Sequence, residues 1–266
     1  MMKYTDVIKQ VREANPLIHC ITNEVVINFT ANGLIALGAS PVMASAKEEV
    51  AQMVQHAQAL LLNIGTLAAA DVEAMILAGK EANRLGIPVI FDPVGVGATA
   101  YRTETSRRIL AEVDVTVIRG NAGEISVLGG TSVKVKGVDG SEDGISPRVV
   151  QQLARELNTI VIATGKIDIL SDGNHTYSIA NGHEMLSNIT GSGCLLGAVV
   201  AACAGAADNV LEACIGALCF YGIAAEEAAK TAKAPGSFQI AFLDQLYLLG
   251  DQAIDSEKVE QFELEV

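Results

Sequence analysis

The chain has 266 residues, half of them hydrophobic and only 18% charged, with 4% aromatics and no tryptophan. That is length enough for one large α/β domain or two small ones, with a sizeable core built from Ala, Val, Ile and Leu. The formal net charge of -13 excludes a general nucleic-acid role and disfavours an anionic membrane surface, since both need Lys and Arg against phosphates; a bound phosphate held by backbone N–H groups, one Arg and a metal ion stays open.

In chain order, MMKYTDVIKQ lacks the apolar centre of a signal peptide, so a cytoplasmic protein is expected. Leu17–Ile21 is a short apolar run, and Ala59–Ile64 is a second, ended by Gly65-Thr66. Asp71–Leu85 reads as a helix, with Val72, Met75, Ile76 and Ala82 at helical spacing until Gly86-Ile87-Pro88 breaks it. Pro88–Phe91, Val113–Ile118 and Thr159–Ala163 are further strands. Lys136–Ser146 is polar and Gly-rich, a surface loop. Ile167–Ala180 carries a turn at Asp172-Gly173-Asn174 and reads as a β-hairpin. After Gly193 the chain reads as helical almost to its end, in Cys194–Ala206 and Asn209–Lys230. The apolar stretch from Cys194 to Ala207 is shorter than the about 20 residues of a membrane span.

Strands apolar on both faces and separated by helices imply a mostly parallel central sheet with helices on both faces. No linker divides the chain, so residues 1–266 are expected to be one domain. The five cysteines are odd in number and form no CxxC pair, which fits reduced thiols, and the four histidines show no metal-ligand spacing.

Ligands of open parallel sheets bind beyond the carboxyl ends of the strands. Four polar or Gly-rich segments follow strands here: Asn63–Thr66, Asp92–Gly95, Arg119–Glu124 and Thr164-Gly165. Together they offer carboxylates, one cation and exposed amides, a set suited to Mg²⁺ and a polyphosphate. The strongest local signal is Asn188-Ile189-Thr190-Gly191-Ser192-Gly193-Cys194, running straight into an Ala/Leu/Val helix. Its glycines let the backbone approach a ligand, and the helix N-terminus adds unpaired N–H groups and a positive dipole. The alternative is an ordinary helix entry capped by Ser192.

The TGSGC turn, the NAGE segment (121–124) and the DPVG segment (92–95) together resemble the ribokinase-like kinases. The blocks NPLIHCITN (15–23) and GASPVM (38–43) narrow the resemblance to the hydroxyethylthiazole kinase family, from Asn15 to about Gly236. That resemblance implies an α/β ribokinase-like fold and ATP-dependent phosphorylation of a thiazole alcohol, 4-methyl-5-(2-hydroxyethyl)thiazole, in thiamine salvage. It implies that Asp92 and Glu124 hold Mg²⁺ and its water shell, that Arg119 meets the ATP phosphates and that Thr164 lies beside the nucleotide. Met43 matches a thiazole contact, Asn23 borders the same pocket, and Gly191 matches a backbone contact to the substrate hydroxyl end. Cys194 stands where most ribokinase-like enzymes place an aspartate base. The family also implies a homotrimer with sites at subunit interfaces, the Asn23 and Met43 region of one subunit facing the Gly191 turn of the next.

Each residue also has a plain structural use: Asp92 before Pro93 shapes a turn, Arg119 forms an ion pair, Met43 fills core and Thr164-Gly165 makes a turn. Their force comes from independent segments converging on one sheet edge. A free thiol titrates near about 8.5, and a helix N-terminus lowers it, so Cys194 is expected to be a weak base or a positioning group. Rival functions are a hydroxymethylpyrimidine or pyridoxal-type kinase, which the NPLIHCITN block opposes, and a dinucleotide-dependent dehydrogenase, which the missing GxGxxG opposes. A non-catalytic nucleotide- or thiazole-binding protein would need no paired Asp92 and Glu124.

Overall fold

The apolar runs become buried strands because helices cover both of their faces. The computed structural model describes residues 4–130, 145–250 and 258–263. Its strands are β1 (Leu17–Ile21), β2 (Ser40–Val42), β3 (Ala59–Asn63), β4 (Val89–Asp92), β5 (Val117–Asn121), β6 (Ile160–Thr164), β7 (Asp168–Ser171), β8 (Thr176–Ile179) and β9 (Val259–Phe262). Among the described residues they form one nine-stranded sheet in the order β2-β1-β3-β4-β5-β6-β7-β8-β9. Pairing is parallel from β2 across to β6 and antiparallel from β6 to β9.

The helices are α1 (Val7–Ala14), α2 (Ile27–Leu37), α3 (Val50–Val54), α4 (Ala69–Leu85), α5 (Ala100–Glu112), α6 (Ala122–Leu128), α7 (Pro147–Leu157), α8 (Ser192–Ala206), α9 (Val210–Thr231) and α10 (Pro235–Leu248). Side chains alternate along a strand with period two. Leu61, Ile90, Val117 and Ile162 therefore join one core with α1, α2, α8, α9 and α10. Leu60, Leu62, Phe91, Ile118 and Val161 join the other, with α3 to α7. Gly33 lets α2 approach α8 closely: an added Cβ there would collide with Leu195 of α8. The α4 helix stops where expected, with Gly86 left-handed at φ 71° and Ile87 N–H closing on Ala82 O at 2.9 Å.

Two expectations need correction. The run Val113–Ile118 is not one strand: α5 continues to Glu112, and Val113 N–H closes its last turn on Ile109 O at 2.9 Å. The strand begins at Val117, which places Arg119 inside β5 rather than in the loop after it. The chain after Gly193 is not helical throughout, because Val259–Phe262 returns as β9 and covers the open edge of β8. Of the expected loop Lys136–Ser146, residues 136–144 lie outside the described residues.

Candidate active site

Parallel pairing brings the carboxyl ends of β1 and β3 to β6 to one edge. There β3 ends in Asn63 and β4 in Asp92, which are register partners, as are Asn121 of β5 and Thr164 of β6. The N-terminus of α8 lies over them, with Gly193 against Arg119 and Gly197 against Asp92.

Asp92 is fully buried. Asn63 Nδ2 donates to its Oδ2 at 2.8 Å, and Arg119 Nη1 lies 3.6 Å from the same oxygen. Its Oδ1 has no hydrogen-bond partner among the described residues. Burial pushes the Asp92 carboxyl up to about 7, with Arg119 opposing and the Glu124 charge adding. A buried carboxylate with one bare oxygen is costly unless a cation or donor arrives. Arg119 Nη2 donates to Thr164 Oγ1 at 2.8 Å, and that hydroxyl donates onward to Gly120 O at 3.2 Å.

Glu124 closes a capping box at the start of α6. Its Oε2 accepts from Asn121 N–H at 2.8 Å, while Asn121 Oδ1 accepts from Glu124 N–H at 3.0 Å. Its Oε1 accepts from Gly95 N–H at 2.8 Å, which ties the loop after β4 to the end of β5.

Gly191 is left-handed at φ 86°, and a Cβ there would lie 2.9 Å from Val26 Cβ. It is also the residue that precedes α8, so Ser192 is not the cap: its hydroxyl donates to Leu186 O at 2.7 Å. Tyr221 on α9 donates to Ser192 O at 2.5 Å and pins the turn from below. Asn23 Nδ2 serves both Asn63 Oδ1, at 2.9 Å, and Cys194 Sγ, at 3.2 Å. The expected lowering of the Cys194 thiol is corrected. Burial and then the Asp92 charge push it up, outweighing the hydrogen bonds from Asn63 and Asn23 and the Arg119 charge.

Beside this edge opens a cavity of about 1020 Å³, lined among others by Arg119, Thr164, Asp168, Ser192, Gly193 and Tyr221. Asp168 accepts Gly165 N–H at 2.9 Å, and burial pushes its carboxyl up to about 6. The arrangement is a Gly-rich turn at a helix N-terminus, one guanidinium and three carboxylates around one sheet edge, which suits phosphoryl transfer.

A model of the hydroxyethylthiazole kinase family matches residues 8–252. The chain belongs to the hydroxyethylthiazole kinase family. It is 54% identical over 250 residues to the hydroxyethylthiazole kinase of Halalkalibacterium halodurans, covering 93% of this chain and 96% of that protein. The structure of the hydroxyethylthiazole kinase protein from Pyrococcus horikoshii superposes with a TM-score of 0.87 at 43% identity, over 98% of this chain and 99% of that one. A ribokinase-like superfamily protein from Enterococcus faecalis, 12% identical, superposes with a TM-score of 0.67 over 91% and 93% of the two chains and shares the fold. The mostly parallel α/β sheet is thus the ribokinase-like one, and the chain is a kinase that uses ATP as co-substrate.

Within this hydroxyethylthiazole kinase family member, Asn23, Asp92, Arg119, Glu124, Thr164, Gly191 and Cys194 come to one sheet edge. Met43 follows β2 on the same edge and packs half-buried on the α8-side core. The Ala44 carbonyl after it accepts a hydrogen bond from His19 Nε2 at 2.7 Å. Asn23 bonds Cys194 and Val26 touches Gly191, so these two segments meet within one chain. Asn63, expected at this edge only as part of the segment Asn63–Thr66, is the residue that joins Asn23 to Asp92. His19 gave no signal, since it sits inside an apolar strand.

Proposed function

We propose that this chain transfers the γ-phosphoryl group of ATP to the hydroxyl of 4-methyl-5-(2-hydroxyethyl)thiazole in thiamine salvage, at the edge described. One observation carries the site assignment: Asp92, with its bare buried Oδ1, faces Arg119 beneath the Gly193 turn. In this reading Arg119 and Thr164 bind the ATP phosphates, with the N–H groups of the Gly191–Cys194 turn facing the transferring group. Met43 and Asn23 border the thiazole, and the Gly191 backbone meets the end that carries the hydroxyl.

Asp92 and Glu124 are the residues that would hold Mg²⁺. The fit rests on the unpartnered Asp92 Oδ1 and an all-oxygen donor set, although Glu124 already accepts two backbone N–H groups. Among the described residues no group of three or more His, Cys, Asp or Glu is placed for a metal, in keeping with an ion held by one or two carboxylates and substrate phosphates. When bound, Mg²⁺ neutralises charge on the β- and γ-phosphates. The alcohol oxygen bonds to the γ-phosphorus as the bridging bond to ADP breaks, and the hydroxyl proton passes to an oxygen of the transferred phosphoryl group or to solvent. The transition state is loose, so little base assistance is needed. Cys194, held by Asn23, orients the hydroxyl rather than taking its proton.

We further read residues 1–266 as one kinase domain and the assembly as a homotrimer with sites at subunit interfaces. Support for assembly is the exposed apolar set Val25, Ile35, Ile240, Tyr247 and Leu248 on and beside the packed pair α2 and α10. Five free cysteines support a cytoplasmic location, and among the described residues no helix is long and apolar enough to cross a membrane. ATP consumption with a panel of alcohols tests the function. The thiazole alcohol should exceed hydroxymethylpyrimidine and pyridoxal by orders of magnitude in kcat/KM, and equal turnover of all three would refute the assignment. Light scattering at three chain masses is expected, and a fully active monomer would refute the trimer.

A further inference from the structure

Arg102 sits half-buried in the first turns of α5, outside every motif above. Its Nη1 donates to Ile64 O at 2.6 Å and Val94 O at 2.7 Å, and its Nη2 donates to Gly65 O at 2.8 Å. One guanidinium thus joins the loop after β3 to the loop after β4. Among the described residues it meets carbonyls and no carboxylate, so its directed N–H donors are the groups in use.

The two loops lead straight to the site. In the first, Gly65 N–H donates to Asn63 Oδ1 at 2.9 Å, and the amide of Asn63 donates to Asp92. In the second, Gly95, the residue after Val94, donates its N–H to Glu124 Oε1. Gly95 is left-handed at φ 73°, and a Cβ there would sit 3.3 Å from Arg102 Cδ. The Arg102 side chain therefore occupies the space that this turn leaves.

We propose that Arg102 is a positioning residue for phosphoryl transfer, fixing the separation and aim of Asp92 and Glu124 by clamping the two loops that carry their partners. The inference rests on reading those carboxylates as the metal-holding pair. It requires no contact between Arg102 and substrate.

The test uses full-length protein. In Arg102→Ala, hydrogen exchange followed by mass spectrometry should accelerate in peptides spanning 63–66 and 93–97 and stay parental in α8 and α9. Turnover should fall about 10–100-fold, the usual cost of losing a group that orients metal ligands. Half-saturating Mg²⁺ should rise by a similar factor, with KM for the thiazole alcohol unchanged. Guanidinium chloride, at a concentration harmless to the parent, should restore part of the turnover, whereas Arg102→Lys should recover less because an ammonium presents no planar fork. Parental exchange with parental turnover overturns the proposal. So does exchange that rises throughout the molecule without rescue, which marks Arg102 as general support. Asp92→Ala run in parallel separates the premises. If it leaves the Mg²⁺ dependence intact, the metal reading fails, while the exchange data still decide whether Arg102 clamps the loops.

Discussion

The Arg119 guanidinium fills the space where Gly193 would carry a side chain: an added Cβ would lie 2.7 Å from Arg119 Nη1. Gly193 has no left-handed φ to demand glycine, and it lies inside α8. Gly193→Ala should therefore fold, because the displaced atoms are the far end of a long side chain, at the cost of its contacts with Thr164 and Asp92. Helix propensity even favours Ala over Gly by about 0.5–1 kcal/mol. The guanidinium must move, so KM for ATP should rise, with kcat falling about 10-fold or more. Thermal melting and steady-state kinetics read the two effects separately, and full activity would break the link between this glycine and Arg119.

Loss of either proposed metal carboxylate should lower turnover while leaving the fold. For Asp92→Ala and Glu124→Ala the expected loss is about 10–100-fold or more at limiting Mg²⁺. Glu124→Ala should also free Gly95 N–H, since Oε1 is its acceptor. Circular dichroism checks the fold, and parental turnover in both variants at limiting Mg²⁺ would exclude the assignment.

Cys194 receives a donor from Asn23, and a carboxylate would accept that donor more strongly. Asp at position 194 also suits a helix N-terminus, against repulsion from Asp92 and the phosphates. We expect Cys194→Asp to keep or raise kcat, Cys194→Ala to keep a reduced but measurable rate, and Cys194→Ser to lie near Ala. A folded, inactive Cys194→Asp would rule out a general base at this position. In the parent, the raised thiol should react with iodoacetamide at pH 7 more slowly than free cysteine.

His19 predicts an acid weakness. It is fully buried; its Nε2 donates to Ala44 O, and its Nδ1 has no partner among the described residues. Burial lowers its pKa below 6.5, with the Ala44 hydrogen bond and the Glu49 charge opposing. The unfolded chain then binds the proton first, so stability falls as pH drops below 6.5, by at most about 1.4 kcal/mol per pH unit. Asp92 and Asp168, raised to about 7 and about 6, act the other way in this range. The difference between parent and His19→Gln isolates the effect: it should shift in favour of the variant from pH 7.5 to 5.5 in urea unfolding. A difference that does not change with pH would place His19 outside the titration.

Much of this was legible because apolar runs, and the polar residues that end them, survive translation into a sheet. Asn63, Asp92 and Thr164 each close a strand. The TGSGC turn announced the start of α8 through its glycines. What was not legible depends on burial and on distance along the chain. The rise of the Cys194 thiol comes from burial and then from the Asp92 charge, neither of which the residues next to it in sequence announce. Val113–Ile118 has strand-like composition, yet its first residue serves as a helix cap. Arg102 looks like any surface cation until three carbonyls from two loops meet it.

The strand order also sets how the molecule is assembled on the ribosome. From β1 to β8, every strand docks beside one made shortly before it, so chain closure stays local. The α8 helix breaks that order, returning over β1, β3 and β4 after all of them exist. Asn23 and Cys194 stand 171 residues apart in sequence and meet only at that return. Until α8 docks, the Leu61 and Ile90 face of the parallel sheet lacks that cover, and exposed apolar surface of this kind favours aggregation. The docking of α8 both covers that face and completes the proposed catalytic edge.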